Sequence, residues 1–235
     1  MIKIFRRIRH KLLVEGKFKK YLQYGLGEIF LVVIGILIAV QINNVNIRWQ
    51  NEEKEILYLT RLTTNLGYDV RLYKSIISKD SLLINNLNDA VKDIPAFIET
   101  VNHPIKDLNF LIAGYKFSAN RTVIDNLISS GQIELLRSNY LVEDIFRYYR
   151  TTGHTASVID ATLLANNQEI INNLILKFNS KSKTDSNYLN TLDNSLHFRI
   201  QLIEKQRKRY NDQKNAAEQL IRKINEEIRL IETVY

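Results

Sequence analysis

The stretch from Tyr21 to Val45, YLQYGLGEIFLVVIGILIAVQINNV, constrains the fold of this chain most, because it holds a long apolar run. Ile29–Val40 is twelve residues without a charge, which alone is too short for a hydrocarbon core of roughly 30 Å. Extending the run back to Tyr21 and forward to Ile42 gives about 22 residues, which is long enough to cross the membrane if Glu28 is tolerated there. The stretch therefore predicts a transmembrane helix over residues 21–45.

Aromatic residues flank this stretch. Tyr21 and Tyr24 at one end and Trp49 at the other are expected at the two membrane interfaces, where amphipathic rings are enriched. A cleaved signal peptide is the alternative. No small-x-small cleavage site follows the apolar core, since Ala39-Val40-Gln41 is a poor match, and the basic region before it is long. We therefore favour an uncleaved anchor.

Basic residues are concentrated before the stretch. Residues 1–20 hold eight lysines and arginines against Glu15, whereas the other 215 residues hold 25 basic and 24 acidic groups. Nearly all of the net charge of +8 thus lies in the tail, which predicts a cytoplasmic N-terminus, contact with anionic lipids and no nucleic-acid partner. The tail is either a short amphipathic surface helix or an irregular basic segment. Its basic residues are Lys3, Arg6, Arg7, Arg9, Lys11, Lys17, Lys19 and Lys20.

The composition is that of a helical protein. Only two prolines and eight glycines occur, and both residue types disfavour helix interiors. The absence of cysteine excludes disulfides, thiolate nucleophiles and cysteine metal sites. We predict an all-α fold, in which a single N-terminal transmembrane helix continues into an elongated helical bundle or coiled-coil ectodomain.

Two long segments carry a heptad-like apolar stripe, with steps of three and four residues. In residues 46–94 the stripe comprises Leu59, Leu66, Val70, Tyr73, Ile77, Ile84, Leu87, Val91 and Ile94, with Thr63 and Asp80 as polar interruptions. In residues 188–235 it comprises Leu196, Ile200, Ile203, Tyr210, Ala217, Ile221, Ile224, Ile228, Ile231 and Tyr235, with Arg207 and Lys214 as exceptions. Two such helices are expected to pack along each other.

Turn signals divide the rest of the chain. Pro95 is predicted to end the first long helix, and Ser118 to cap a helix that ends at Gly131. A further helix is predicted from about Asn139 to Phe178, with a break near Thr152-Gly153, and the polar run SKSKTDSN at 180–187 is a loop. The predicted organisation is a tail over 1–20, a span over 21–45 and a periplasmic bundle over 46–235, with helices at about 46–94, 118–130, 139–178 and 188–233.

One face of the predicted span carries an unusual set of residues. Val32, Gly35, Ala39 and Asn43 follow Glu28 at offsets that keep them on one side of a helix. Gly35-xxx-Ala39 is a small-xxx-small pattern, which permits close approach of two helices. We interpret Glu28, Val32, Gly35, Ala39 and Asn43 as a helix-association face. The alternative places Glu28 at headgroup depth, paired with Lys17, Lys20 or lipid.

The residues indicate no catalytic, cofactor or metal site. Ser129-Ser130-Gly131 is typical of a helix C-terminus, and Ser180-x-x-Lys183 lacks the supporting hydrolase motifs. The histidines, at 10, 103, 154 and 197, are too scattered for a local metal site. The Tyr148-Tyr149-Arg150 cluster is either a binding surface or a packing contact, and packing is the favoured interpretation.

The chain resembles a family of uncharacterised bacterial single-pass membrane proteins. The resemblance rests on MIKIFRRIRHKLL, then GKFKKYLQYGLGEIFLVVIGILIAVQINN, then NEEKEILYLTRL, and on the later stretch LISSGQIELLRSNYLVEDIFRYY. It is dense over residues 1–66 and moderate over 118–150, and Val45 stands where the family commonly has Trp. The resemblance implies a membrane location in a diderm envelope and no particular chemistry.

These patterns favour a non-enzymatic protein of the bacterial inner membrane. We expect a scaffold, adaptor or accessory subunit that works through homo-oligomerisation or binding of another envelope protein. A sensing ectodomain with a separate output partner is the alternative, favoured by a ligand-sized cavity between the helices. A membrane-held hydrolase is a third hypothesis, favoured by a clustered Ser/His/Asp or His/Glu pocket.

Overall fold

A computed structural model of the chain describes residues 18–233. These residues fold into six α-helices, joined by shorter turns of helix and irregular segments. No strand lies among them, so the predicted all-α class is confirmed. The α-helices are α1 Phe18–Lys92, α2 Ile94–Glu99, α3 Pro104–Asp107, α4 Thr122–Ser129, α5 Asn139–Ile170 and α6 Ser186–Thr233. The shorter turns are the 3₁₀ helices Asn109–Ile112 and Gln132–Leu135 and the π-helix Ile171–Ile175.

The chain divides into two compact units between Lys54 and Glu55. Of the first unit, the structure describes the part of α1 from Phe18 to Lys54. α1 is long and apolar enough to cross a membrane, and none of its apolar window is buried. The second unit contains the rest of α1 and all later helices, and its core determines the fold.

The long helices of the second unit alternate in direction. Lys74 on α1 pairs with Glu218 on α6, and Ser81 accepts a hydrogen bond from Arg207, so α1 and α6 are antiparallel. Tyr148 on α5 donates to Asp69 on α1, and Arg137 just before α5 pairs with Glu55. α5 therefore runs parallel to α1. The part of the chain that connects the end of α1 to the start of α5 must therefore run back along the bundle.

A non-helical segment makes most of that return. Residues 113–121, called the return segment below, contain no regular structure and begin with Ala113 in an extended conformation. The carbonyl of Tyr115 lies at the level of Gln206 on α6, and the backbone N–H of Asn120 lies at the level of Asp69 on α1. The segment is thus antiparallel to α1 and packs within the bundle, where its backbone polar groups require partners.

Three hydrophobic clusters fill the second unit. The first surrounds Leu62 and Leu66 on α1 and includes residues of α4, α5 and α6. The second surrounds Leu87 and Leu196, beside α2, α3 and the π-helix. Between them, Tyr73, Phe117 and Tyr210 form a smaller cluster with Ile76, Ile159 and Leu163. The return segment contributes Phe117 to this middle cluster, so it takes part in the core through that side chain.

The buried face of α1 differs from the predicted stripe. Leu59, Leu66, Tyr73 and Leu87 are buried as expected. Val70 and Ile84 of the predicted stripe are buried too, as is its polar interruption Asp80. Elsewhere the residue before the predicted one is buried: Leu62, Asp69, Ile76, Leu83 and Ala90 are buried, whereas Thr63, Ile77 and Val91 are only half-buried. Asp69 was not on the predicted stripe, and because an unpaired carboxylate is costly in a core, it needs partners there.

The same shift occurs on α6. Leu196, Ile203, Tyr210, Ala217, Ile224 and Ile231 are buried as predicted. Arg199, Gln206 and Leu220 are buried at seam positions, whereas Ile200, Arg207, Lys214, Ile221 and Ile228 are half-buried. The supposed exceptions Arg207 and Lys214 therefore lie beside the seam, and the buried polar residues lie on it.

Several helix ends also differ from expectation. α1 ends at Lys92, and Asp93 caps α2 by accepting from Ala96 N, with Pro95 in the first turn of α2. Ser118 does not cap a helix, because it belongs to the return segment and α4 begins at Thr122. α5 continues through residues 152 and 153, so the predicted break there is wrong.

Candidate functional site: an exposed apolar helix and a buried polar core

The first unit presents an apolar helix surface. The large apolar side chains between Leu22 and Trp49 are 40–71 % exposed. Surfaces of this size are rarely left in contact with water, because burial of apolar area provides the main favourable free energy of folding and association. A lipid bilayer or a partner helix is therefore the environment that fits this part of α1.

The predicted association face lies on this surface. Val32, Gly35, Ala39 and Asn43 are exposed, and Glu28 is half-buried. At 3.6 residues per turn the five residues lie within an arc of about 80°. A Cβ added to Gly35 would have no atom within 4 Å, so the chain itself leaves this face open to another helix.

The structure describes some of the basic and aromatic residues that were predicted to flank the membrane. Lys19 is exposed in the first turn of α1, and Trp49 is 54 % exposed. Lys20, Tyr21 and Tyr24 lie within α1. The other basic residues, Lys3, Arg6, Arg7, Arg9, Lys11 and Lys17, lie outside the described residues, and their role stays a prediction.

Asp69 anchors the return segment to α1. Its carboxylate is fully buried; one oxygen accepts from Asn120 N at 3.0 Å and the other from Tyr148 Oη at 2.9 Å. Burial raises the pKa of Asp69, and the two donors oppose that shift. Since each oxygen has a donor, the ionised carboxylate fits its surroundings.

Asp80 and Gln206 form a second buried polar contact. Asp80 is 1 % exposed and Gln206 is 3 % exposed. Gln206 Nε2 donates to Asp80 Oδ2 at 3.2 Å and to the carbonyl of Tyr115 in the return segment at 3.1 Å. Burial raises the pKa of Asp80 to about 7, against lowering contributions from Gln206, Arg207 and Arg199.

Arg199 holds the start of the return segment. It is fully buried and donates to the Asn166 side-chain oxygen at 2.9 Å and to the carbonyl of Ala113. Burial lowers the pKa of this guanidinium to about 10, and Asp80 opposes the shift. Gly114 lies beside it, where an added Cβ would be 3.3 Å from Leu163 Cδ1 and 3.6 Å from Arg199 Nη2. The tight contact of such a Cβ would be with Leu163, whereas the distance to Arg199 is an ordinary van der Waals contact.

Aromatic rings fix the middle of the return segment. Phe117 stacks on Tyr73 with ring centroids 3.7 Å apart, and Tyr210 lies 6.2 Å from Phe117 on the other helix. Burial raises the pKa of Tyr73 well above its usual value and that of Tyr210 to about 12, so both stay neutral at physiological pH. The aromatic contacts and the polar anchors together hold one extended segment among three helices.

A shallow groove runs between α5 and α6. Its largest part, about 300 Å³, is lined by residues that include Asp144, Arg147, Tyr148 and Lys223. Asp144 pairs with Arg147 at 3.0 Å and with Lys223, so one carboxylate is shared by two cations at this end. A smaller part of about 220 Å³ is lined mainly by aliphatic side chains and by the stems of Lys205 and Arg209.

The motifs discounted in the sequence occupy ordinary structural positions. Gly131 adopts a left-handed conformation, φ 69°, directly after α4, as expected for a helix C-terminus. Tyr148 and Tyr149 are buried in the first hydrophobic cluster, so the packing interpretation holds. Within residues 18–233, no group of three or more His, Cys, Asp or Glu side chains could hold a metal ion.

The buried polar residues were not singled out from the sequence. Arg199 and Gln206 look like solvated helix residues in a charged, glycine-free segment, and Asp80 looks like a break in the stripe. The spacing of these residues could have identified them. Arg199, Gln206 and Asp80 each continue the three-four spacing of buried positions on their helix, if polar residues are allowed at those positions. Arg199 and Gln206 bond to backbone groups of the return segment, and Gln206 also bonds to Asp80. These partners are far away along the chain.

A family model described as "Family of unknown function (DUF6090)" matches residues 28–198, more than half of the 235-residue chain. No curated protein and no solved structure matches the chain.

Proposed function

Because the chain belongs to DUF6090, a family of unknown function, we propose its role from geometry: a membrane-anchored, non-enzymatic scaffold or adaptor. In this proposal the anchor lies in the bacterial inner membrane with its N-terminus in the cytoplasm. The second unit lies in the periplasm, and the protein acts through association of its helices with a second copy or with another envelope protein. The basic tail contacts anionic lipids on the cytoplasmic side.

The observation that carries the proposal is the uncovered apolar surface of α1. Between Leu22 and Trp49 the large apolar side chains remain 40 % exposed or more, in a helix long enough to cross a bilayer. In lipid, close packing of small residues drives helix association more than apolar area does, because lipid tails are as apolar as the side chains. Gly35 and Ala39 supply such a site on the same face as Glu28.

The test is crosslinking of the full chain in native membranes, followed by identification of the adducts. We expect an adduct with a second copy or with one recurrent envelope protein. Gly35→Leu should reduce the adduct about tenfold, because a loss of roughly 1.4 kcal/mol in association free energy has that effect.

Gly27→Leu is the matched control. Gly27 lies about 100° away from Glu28 around α1, off the association face, and an added Cβ there also meets no atom within 4 Å. The adduct should persist in this variant. Equal yields from Gly35→Leu and wild type would refute the association face, and the absence of any specific adduct would refute the scaffold proposal.

The groove between α5 and α6 favours a second candidate, a sensing ectodomain. At about 300 Å³ its main part is at the lower limit of ordinary ligand pockets. A sensor of this kind would require a separate output partner. Binding of a small molecule that Ala216→Trp abolishes would support sensing over scaffolding, because Ala216 lines the groove and is exposed.

A further inference from the structure

Two buried acceptor atoms face no donor at the contact between Asp80 and Gln206. Gln206 Nε2 donates to Asp80 Oδ2, whereas Asp80 Oδ1 and Gln206 Oε1 are both inaccessible and lack a hydrogen-bond partner among the described residues. A buried acceptor without a donor costs on the order of 1–3 kcal/mol. Two such atoms on one hydrogen-bonded pair require an explanation.

Rotation of the Gln206 amide does not remove the problem. Nε2 also donates to the carbonyl of Tyr115, and a carbonyl can only accept. Exchange of the amide nitrogen and oxygen would place Oε1 against two acceptors. The observed orientation is therefore the one that the return segment dictates.

We propose that Asp80 is protonated on Oδ1 in the folded protein and forms a cyclic acid–amide pair with Gln206. The Oδ1–H donates to Gln206 Oε1 while Nε2 donates to Oδ2, so one proton satisfies both acceptors. The carboxyl and the carboxamide are planar groups of matching geometry, and each then supplies one donor and one acceptor. Through the second proton of Nε2, the same pair holds Tyr115 of the return segment.

Charged residues are present on each element that packs around this pair. On α6, Arg199 and Arg207 lower the pKa of Asp80 by their positive charge. Neither forms an ion pair with Asp80 in the described residues: Arg199 donates to Asn166 and Ala113, and Arg207 to Ser81 Oγ at 3.3 Å. Asp160 on α5 pairs with Lys116 of the return segment and lies near Tyr210, and on α1 Lys79 packs over the Tyr115 ring.

The pair makes the bundle sensitive to pH. Burial raises the pKa of Asp80 from 3.8 in the unfolded chain to about 7 in the fold. The stabilisation by the bound proton is therefore complete below about pH 4 and is lost as the pH rises towards 7. Above pH 7 the ionised Asp80 Oδ1 faces Gln206 Oε1 without a donor, and the hold on Tyr115 weakens.

Asp80→Asn tests the proposal in the full chain in detergent micelles. Asparagine replaces the proposed O–H donor by an N–H donor, so the cyclic pair survives without a titrating group. We expect a folding constant close to that of wild type at pH 4.5 and larger at pH 8. The ratio between the two proteins should change with pH by up to about a thousandfold, as a shift from 3.8 to about 7 implies.

Asp69→Asn is the matched control, because both oxygens of Asp69 already accept from donors. This variant should be less stable than wild type at pH 8, since an amide N–H would face a donor. If Asp80→Asn is also less stable at pH 8, Asp80 is an ionised counter-charge for Arg199 and the proposal is wrong. A ratio of wild type to Asp80→Asn that is independent of pH would also overturn it.

Infrared spectra of the wild-type chain provide a second measurement that does not depend on a variant. With ¹³C-labelled aspartate, a protonated carboxyl C=O band should be present at pH 6 and disappear above pH 8. Absence of the band at pH 6 would overturn the proposal. Persistence of the band in Asp69→Asn would assign it to Asp80, and its loss there would assign it to Asp69 and overturn the proposal.

Discussion

At the scale of single residues, buried polar side chains of the second unit serve as partners for an irregular backbone. Asp69, Arg199 and Gln206 are each 3 % exposed or less, and each bonds to a backbone group of the return segment. In a regular helix or strand such backbone groups would pair with one another. Side chains at fixed points of the flanking helices take over that role, which explains why polar residues occupy core positions.

The hydroxyl of Tyr148 provides one residue-scale prediction. Tyr148→Phe removes a donor to the buried Asp69 carboxylate and should lower the free energy of unfolding at pH 8 by about 1.5–3 kcal/mol, the usual range for hydrogen bonds to charged groups. Chemical denaturation followed by circular dichroism measures the change. Tyr140→Phe is the control, because Tyr140 is 84 % exposed and its loss of a hydroxyl should be neutral. Equal effects of both variants would contradict the role of the Asp69 contact.

At the scale of elements, the heptad spacing of α1 and α6 was predictable and its exact face was not. Each stripe keeps six of its predicted apolar positions buried, and at several of the others the preceding residue is buried instead. Among the buried residues that the prediction left out, Asp69, Arg199 and Gln206 are polar. They become favourable on the seam only when a third element supplies their partners. The return segment is that element. Its apolar residues Ala113, Tyr115, Phe117 and Ala119 alternate with exposed Gly114, Lys116 and Ser118, a period of two that was not used in the sequence prediction.

A comparison within α1 tests the observed face. Leu62 is fully buried in the first hydrophobic cluster although it was absent from the predicted stripe, whereas Leu57 is 45 % exposed. Leu62→Ala should destabilise the second unit by about 2–5 kcal/mol through lost burial and a cavity. Leu57→Ala should change the stability by less than about 0.5 kcal/mol. Thermal or denaturant unfolding of the two variants side by side measures the difference, and similar values would mean that the face is assigned wrongly.

At the scale of the whole molecule, the chain combines two units with different requirements. The first presents apolar side chains outward, and the second buries its apolar side chains in three clusters. A helix with an apolar surface is stable in lipid, whereas a bundle that buries its apolar side chains is stable in water. The contrast between the units was visible in the sequence as a change from a continuous apolar run to a periodic stripe.

The proposed topology can be tested by thiol labelling in intact cells, because the chain contains no cysteine of its own. A single cysteine at Tyr140, which is 84 % exposed in the second unit, should react with a reagent that reaches only the periplasm. A cysteine at Lys3 should react only after the cells are opened. Protection of Tyr140→Cys in intact cells would reverse the proposed orientation.

The sequence by itself determined the all-α class, the apolar segment suited to a membrane, the two long periodic helices and the left-handed turn at Gly131. These features depend on interactions between near neighbours in the chain: runs of apolar residues, three-four spacing, and the conformational freedom of glycine. The tertiary structure decided which face of each long helix is buried and where the helices of the middle region begin. It also brought Asp80 to Gln206 and Arg199 to Ala113, because these contacts join residues 126 and 86 positions apart through an irregular segment. Partners that far apart along the chain meet only in the folded protein.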